Sequence, residues 1–353
     1  MSGAPMSQPR GTARRRWLIG LPFALVVVLA AVWSIAWYLA AQRADATITA
    51  WIEQEARAGR LYRCGTRTTG GYPFRIEVRC AEPSVELAGA EPPRALRAKS
   101  LLGVAQVYQP DLIIAEIAGP LEITQAGEPV LWRADWGLAQ ASLRGIAGTP
   151  ERLSIVLDAV RLDAAGESGA PFAAANHMEL HVRRDPASAP DQPVLDLAAQ
   201  GAGMTMPSAT LLGGKPIDGD MTALVRGISD LRPKPLPDRL RQWQAAGGRL
   251  QVTKLRLQQG DATAIASGEV GLAASGRPDG AFNVSMVGFE QVVQQLVGPG
   301  RGANLQLGLV AGLSLLGRPA EIDGKRALAL SLRVKDGAVF LGPIPLGKID
   351  PLF

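Results

Sequence analysis

The feature that most constrains this chain is a run of 25 residues without a charged side chain, from Trp17 to Ala41. A helix needs about 20 apolar residues to cross the hydrocarbon core of a membrane, so this run can span it with some tilt. Trp33, Trp37 and Tyr38 cluster toward its end, as aromatic side chains do at a membrane–water interface. The sequence therefore predicts a transmembrane helix over residues 17–41.

The charges before this segment predict its orientation. Three arginines, Arg14 to Arg16, come directly before it, and loops rich in Arg and Lys stay in the cytoplasm. We therefore predict a single-pass inner-membrane protein, with a cytoplasmic basic tail over residues 1–16 and a periplasmic domain over residues 44–353. Two alternatives export the same domain. One is a signal peptide cleaved near Ala44-Asp45-Ala46, for which the apolar run is longer than usual, and the other is a twin-arginine export signal.

The basic character of the chain belongs to its N-terminal segment. The formal charge is +5, from 37 basic and 32 acidic residues. Residues 1–43 contain five arginines and no acidic residue, which leaves 32 basic and 32 acidic residues in the rest of the chain. Because a phosphate backbone requires a concentrated positive surface, we predict that this neutral domain does not bind nucleic acid.

The two cysteines, Cys64 and Cys80, flank a segment with the pattern of a β-hairpin. Gly70-Gly71 is a turn signal, and apolar side chains alternate from Ile76 to Cys80. A hairpin folded at the glycines brings the cysteines to neighbouring strands, and disulfides persist outside the cytoplasm. We predict a Cys64–Cys80 disulfide. The alternatives are two unrelated buried thiols or a metal site, although the chain has no histidine nearby to complete a ligand set.

From Thr66 onward, short apolar or alternating segments are separated by Gly, Pro or Asp-Gly pairs. This pattern predicts a mainly β domain, a long bent antiparallel β-meander or groove with a few short helices, rather than βαβ units. Ala95–Val107 and Val130–Leu143 are long predicted strands. Leu112–Ile117 and Leu305–Leu316 are apolar at successive positions, so both of their faces need cover or line a cavity.

Helical periodicity is confined to a few segments. Asp45–Leu61 continues the membrane helix, with apolar residues at helical spacing. Short helices are predicted at Pro237–Ala246 and Phe289–Val297, and a further helical patch between Thr222 and Ile228.

Two segments have a similar irregularity. The alternation from Leu153 shifts by one residue at Asp158-Ala159, and the alternation from Leu250 shifts in the same way at Thr253-Lys254. A shift of one residue is typical of a β-bulge. We predict two related β modules, near residues 153–200 and 248–287, within one sheet. The alternative is a chance similarity between ordinary strands.

No motif in the chain predicts a reaction. The two histidines, His177 and His181, share one face of a strand or helix, and we expect Glu179 on the opposite face, so they lack the ligands of a zinc site. Phosphate-binding loops, nucleophile elbows, HExxH and CxxC are absent, and Gly298–Gly302 follows a helical pattern instead of opening one. We predict no catalytic, metal or cofactor residue. An enzyme with paired acids, which need no short motif, stays an alternative.

Three segments together resemble a known family. They are GGYPFRIEVRC at Gly70–Cys80, ASGEVGLAASGRPDGAFNVSM with the following FEQVVQQLV, and the C-terminal DGAVFLGPIPLGKIDPLF. The chain resembles the uncharacterised Gram-negative membrane-protein family catalogued as domain of unknown function 2125, most specifically at Tyr72–Arg75 and Gly342–Leu346. The resemblance implies a single-anchor periplasmic protein and carries no catalytic residues.

A looser resemblance is to AsmA-like envelope proteins, in which an N-terminal anchor precedes repetitive β modules; it implies a long groove for lipid. Together with the apolar strands, it leads us to expect a membrane-anchored periplasmic protein that binds lipid or another hydrophobic envelope component. The alternative is a scaffold or protein-interaction module for envelope assembly. Alternation does not tell which face lines a groove, so no binding residue is predicted.

Overall fold

In the computed structural model, the chain is described over residues 13–89, 92–125, 128–145, 150–164, 171–189, 191–206, 215–228, 234–289, 311–312, 317–342 and 344–353. These residues form one large antiparallel sheet of 21 strands and two helices. The predicted mainly β class and the antiparallel meander are therefore confirmed.

The N-terminal helix α1 (Ala13–Arg57) joins the predicted membrane segment and the predicted helix Asp45–Leu61 into one element. It is the one helix in the described residues that is long and apolar enough to cross a membrane, and its apolar part is not buried against the domain. Gly59, with a φ of +77°, then lets the chain reverse into the first strand.

The first half of the sheet is a meander of long strands, each interrupted near its middle. Its strands are β1 (Arg60–Arg63), β2 (Thr66–Gly70), β3 (Arg75–Ala81), β4 (Ser84–Leu87), β5 (Arg94–Arg97), β6 (Ser100–Gln106), β7 (Gln109–Ala118), β8 (Leu121–Gln125), β9 (Val130–Asp135), β10 (Leu138–Arg144) and β11 (Arg152–Ala164). One row pairs in the order β1-β4-β5-β8-β9, and the other in the order β2-β3-β6-β7-β10. Both rows end on β11, which pairs with β9 and with β10.

The interruptions follow one line across these strands, here called the break line: Cys64–Gly65, Glu82–Pro83, Ala98–Lys99, Gly119–Pro120, Trp136–Gly137 and Ala159. Backbone hydrogen bonds continue across it, as from Gly65 N to Ala81 O at 2.9 Å. The predicted single strands Ala95–Val107 and Val130–Leu143 are therefore two strands each, because the residues on this line leave the regular ladder.

The second half continues as a single row of longer strands. Its strands are β12 (Ala173–Arg184), β13 (Leu195–Met204), β14 (Ile217–Arg226), β15 (Arg249–Gln259), β16 (Ala262–Leu272), β17 (Pro278–Val287), β18 (Arg318–Ile322), β19 (Lys325–Lys335), β20 (Ala338–Leu341) and β21 (Ile344–Lys348). β11 to β17 pair in chain order, β19 pairs with β17, β18 and β20, and β21 pairs with β20. The helix α2 (Leu236–Ala245) precedes β15 and confirms the helix predicted at Pro237–Ala246.

The helical patch predicted between Thr222 and Ile228 is wrong, because most of it belongs to β14. Ala223 pairs with Leu197 on one side and Val252 on the other, so packing in the sheet overrides local preference. The predicted helix Phe289–Val297 lies outside the described residues except at Phe289. The predicted strand Leu305–Leu316 lies outside them except at Ala311-Gly312, which are helical and do not support a strand there. The division into two modules stays a prediction.

Candidate functional site

The tip of the β2–β3 hairpin, Gly71–Arg75, lies against α1 inside the predicted membrane segment. Trp33 Nε1 donates a hydrogen bond to the carbonyl oxygen of Pro73 at 2.9 Å. Trp37 Nε1 donates to the carbonyl oxygen of Arg75, also at 2.9 Å. The first hairpin therefore runs back along the helix, and the sheet begins beside α1.

An ion pair joins the other end of α1 to the first strand. The Glu55 carboxylate accepts two hydrogen bonds from the Arg60 guanidinium, one of them from Nη2 to Oε1 at 3.0 Å. The Glu55 side chain is 7% exposed and that of Arg60 is 22% exposed. The hydrogen bonds from Arg60 lower the pKa of Glu55 although burial opposes this. A charged Glu55 therefore connects helix and sheet.

A disulfide closes the first hairpin at the break line. Cys64 lies just before β2, Cys80 lies on β3, and their sulfurs are bonded as the sequence predicted. Cys80 pairs with Arg67 on β2, and Arg67 Nη2 lies 3.0 Å from Asp45 Oδ1 on α1. The disulfide thus stabilises the strand that lies along the helix.

One face of the sheet is apolar across 13 neighbouring strands and is here called the apolar face. Directly paired residues run from β3 to β20 in one row: Ile76, Ala105, Ile113, Leu143, Leu153, Val182, Leu197, Ala223, Val252, Gly268, Phe282, Leu332 and Leu341. At a strand spacing of about 4.8 Å, this row extends over roughly 55–60 Å. A parallel row from Ala141 through Ile155, Leu180 and Met221 to Leu330 is also apolar.

No second layer covers this face within the described part of the chain. α1 packs on β1 and β2, and α2 contacts strand ends, with Trp243 Nε1 donating to the carbonyl of Arg226 at 2.6 Å. Most side chains of the apolar face keep partial exposure, and Met178 and Leu257 are 37% and 39% exposed. Among the described residues, no large side chain is completely buried. The face is therefore a partly open apolar surface, in which Ala223 and Val252 near the middle of the row are 2% and 6% exposed.

A bulge keeps β15 in phase with this face. The register of β15 shifts by one residue between Val252 and Leu255 against both neighbouring strands, which confirms a bulge at Thr253-Lys254. Leu250, Val252, Leu255 and Leu257 therefore all pair with apolar-face residues. At Asp158-Ala159 the register with β12 does not shift; instead Ala159 has a positive φ of 51°. The bulge predicted there is wrong, and a left-handed residue interrupts the strand.

The opposite face is mainly polar, although Leu112, Ile114 and Val156 also lie on it, and it carries the two histidines. Glu179 lies between them on the same face of β12, since residues two apart in a strand point the same way, so the expectation of opposite faces is wrong. His177 Nδ1 is 2.5 Å from Asp158 Oδ1 and His177 Nε2 is 2.8 Å from Glu179 Oε1, while His181 Nε2 is 3.0 Å from Glu179 Oε2. The hydrogen bonds that His177 donates to the carboxylates of Asp158 and then Glu179 raise the pKa of His177. The described residues contain no group arranged to hold a metal ion.

Three arginines form a ladder on the same polar face. Arg152 is directly paired with Arg144 on β10 and with Arg183 on β12, and Arg183 Nε reaches Asp196 Oδ2 at 2.7 Å. Together with Ser142, Ser154 and neighbouring residues, they line a shallow cleft of about 530 Å³. The ladder is therefore a local concentration of positive charge. Like charges placed directly opposite one another destabilise a sheet.

A family model described as an uncharacterized protein conserved in bacteria, DUF2125, matches residues 37–350. The chain belongs to the DUF2125 family. The match covers the end of the predicted membrane segment and all strands of the sheet. No curated protein and no solved structure matches the chain, and the AsmA-like resemblance is not shown by these comparisons.

The two most specific marks of the DUF2125 resemblance lie at the two ends of the sheet, whereas its central segment lies on β16 and β17. Tyr72–Arg75 forms the hairpin tip on α1, and Gly342, with a φ of +58°, lies in the turn between β20 and β21. Sequence reasoning did not find the contact of this tip with Trp33 and Trp37. Their aromatic cluster was the available signal, and it was explained by the membrane interface alone.

Proposed function

We propose that this DUF2125 protein is anchored in the inner membrane by α1, with residues 1–16 in the cytoplasm and residues 44–353 in the periplasm, and that its apolar face binds lipid or another hydrophobic envelope component. One observation carries the proposal: the face is continuous from Ile76 to Leu341 and has no covering layer in the described residues.

The energy of burial favours an occupant on this face. Full burial of a Leu or Ile side chain is worth about 1.5–3 kcal/mol, and the partly exposed side chains of the face obtain only a fraction of it. Contiguous apolar surface of this extent is unusual for a face left in water. An acyl chain that lies across the strands would bury these side chains further and provide the rest of this burial energy.

The position of the face relative to α1 favours a lipid over a soluble ligand. Ile76 begins the row, and it follows Arg75, whose carbonyl accepts the hydrogen bond from Trp37 in the membrane segment. A lipid leaving the bilayer beside α1 would meet Ile76 first.

Matched substitutions on the two sides of β11 test the proposal. Ile155 belongs to the apolar face, whereas Ser154 points to the polar face between Ser142 and His181. We expect full-length Ile155→Glu to lose most of the lipid that copurifies beyond the shell around the helix, and Ser154→Glu to keep it, as measured by mass spectrometry of extracted lipid. Met178→Glu, at a half-exposed position of the same face, replaces Ile155→Glu if that variant unfolds. Equal lipid content in all variants would contradict lipid binding on this face.

A second candidate, a protein-interaction module, is favoured by the C-terminal edge of the sheet. β21 pairs only with β20 within the described strands, and Leu346 and Leu352 nearby are 57% and 48% exposed. Exposed edges and apolar side chains of this kind accept partner strands. Loss of a copurifying envelope protein in Leu346→Glu, with lipid content unchanged, would support this role instead.

A further inference from the structure

The aromatic tip of the β2–β3 hairpin makes a third contact with the membrane helix. The hydroxyl groups of Ser34 and Tyr72 lie 2.8 Å apart, and the rings of Trp37 and Tyr72 meet edge to face with centroids 5.4 Å apart. The Trp33 and Phe74 rings lie 6.5 Å apart. Together with the two indole hydrogen bonds described above, these contacts hold the tip at the level of Trp33–Trp37.

The depth of the hairpin tip in the membrane follows from the rise per residue of α1. Trp33 lies ten residues before Arg43, the first charged residue after the apolar run, or about 15 Å at 1.5 Å per residue. A hydrocarbon core of about 30 Å takes up about 20 residues, so a core that begins near Leu18 ends near Trp37. The hairpin tip therefore lies at the outer end of the hydrocarbon core, below the first charges.

The side chains at this end of the sheet suit an interface and not water. Tyr72 and Phe74 are 55% and 63% exposed despite their contacts with α1. Tyr108, in the neighbouring β6–β7 turn, is 70% exposed, and Val107 N donates to the carbonyl of Phe74 at 3.0 Å. Tyrosine and other aromatic side chains concentrate at membrane interfaces because one part is apolar and another is polar.

Four backbone carbonyl groups of the tip are hydrogen-bonded, as a nonpolar environment requires. The carbonyl groups of Gly71, Pro73, Phe74 and Arg75 each accept a hydrogen bond, from Arg75 N, Trp33, Val107 N and Trp37 respectively. Pro73 has no N–H to satisfy. Unpaired backbone groups cost several kcal/mol in a bilayer, and these carbonyls avoid that cost. The Arg75 side chain, by contrast, is 60% exposed and pairs with Glu77, as suits the level of the lipid headgroups.

We infer that Tyr72, Phe74 and Tyr108 form a second membrane contact, an aromatic foot that inserts among the lipid headgroups on the periplasmic side. The inference rests on the proposed anchoring by α1. Because the hairpin tip is hydrogen-bonded to α1, the foot fixes the sheet against the bilayer with Ile76 at the surface. The apolar face then opens directly at the membrane.

A fluorescent label at the foot tests the inference in the full-length protein. Both native cysteines are in the disulfide, so a single added cysteine can carry a nitrobenzoxadiazole label. Tyr108→Cys places the label at the foot, and Glu128→Cys places it at the far end of the sheet, where the β8–β9 turn lies near the end of α1. The protein is reconstituted in vesicles of phosphatidylethanolamine and phosphatidylglycerol that contain a lipid with a quencher near its headgroup.

We expect quenching of the label at position 108 to exceed that at position 128 by roughly two-fold or more, because only the foot lies at the interface. Adding Tyr72→Ser and Phe74→Ser should reduce the difference. Resistance of the protein to carbonate extraction separately reports insertion of α1. Equal, weak quenching at both positions in an extraction-resistant protein would overturn the foot alone. Extraction of the protein would overturn the anchoring and the foot together.

Discussion

Glu55, in the last turn of α1, and Arg60, the first residue of β1, form a bidentate ion pair across the reversal at Gly59. The pair is largely shielded from water and is the main polar link between the anchor and the sheet at that end. Its position means that the orientation of the sheet relative to the helix depends on a charged group at the end of α1 that is remote from the predicted membrane segment.

Glu55→Gln should destabilise the full-length protein by about 1–3 kcal/mol, because it leaves the partly buried guanidinium of Arg60 without its carboxylate. Glu53→Gln is the matched control, since Glu53 is on the same helix and exposed. The measurement is the urea midpoint in detergent micelles. A loss no greater than that of the control would mean that the pair adds little to stability.

The disulfide gives a prediction about both stability and location. Replacing Cys64 and Cys80 together by Ser should cost roughly 3 kcal/mol, from the loop-closure entropy returned to the unfolded chain. In intact cells, both thiols should resist alkylation until a reductant is added, because disulfides persist in the periplasm and not in the cytoplasm. Rapid alkylation without reductant would place this part of the domain on the cytoplasmic side.

The contacts of His177 predict a pH dependence of stability. The hydrogen bonds that His177 donates to Asp158 and Glu179 raise its pKa, so the folded state binds the proton more tightly than the unfolded state does. The stabilisation is complete below the unfolded-state pKa of about 6.5 and is lost as pH rises through the higher folded-state value. The melting temperature of wild type should therefore exceed that of His177→Gln by more at pH 5.5 than at pH 8.5. The same difference at both pH values would refute the prediction.

The arginine ladder predicts a stabilising substitution. Arg152→Gln removes the charge that faces both Arg144 and Arg183, and should raise stability by roughly 0.2–1 kcal/mol at low salt, and by less at high salt. Arg133→Gln, which removes pairs with Glu122 and Asp135, should not stabilise. Thermal melts at two salt concentrations decide. If Arg152→Gln lowers the stability at low salt, the Arg152 charge has a favourable partner and the prediction is wrong.

Strand alternation was sufficient to predict the class of fold, and at places the exact element. The short segments Ser84–Leu87, Leu121–Gln125 and Ala338–Leu341 are predicted as strands because Gly, Pro or Asp-Gly signals flank them, and they coincide with β4, β8 and β20. The bulge in β15 was also predicted, because a one-residue shift in the alternation of Leu250, Val252, Leu255 and Leu257 indicates an extra residue in the strand.

What the sequence did not predict depends on tertiary contacts. The break line divides Val130–Leu143 at Trp136-Gly137, where Trp136 Nε1 donates to the carbonyl of Ile117 on another strand at 2.7 Å. No local pattern contains that partner. Likewise, neither Trp37 nor Arg75 indicates alone that the hairpin folds back on the helix. The apolar face was missed as a site because alternation within a strand says which residues share a side, and only the pairing of strands joins those sides into one surface.

Crosslinking in living cells tests the central claim most directly. A photoreactive amino acid is placed at position 155 on the apolar face, or at position 154 on the polar face of the same strand, in the full-length protein. Irradiation of cells grown with labelled phosphate should attach phospholipid to the protein at position 155 and not at position 154. Absence of lipid adducts at position 155, or capture there of another protein or of the chain's own residues instead of lipid, would contradict the account.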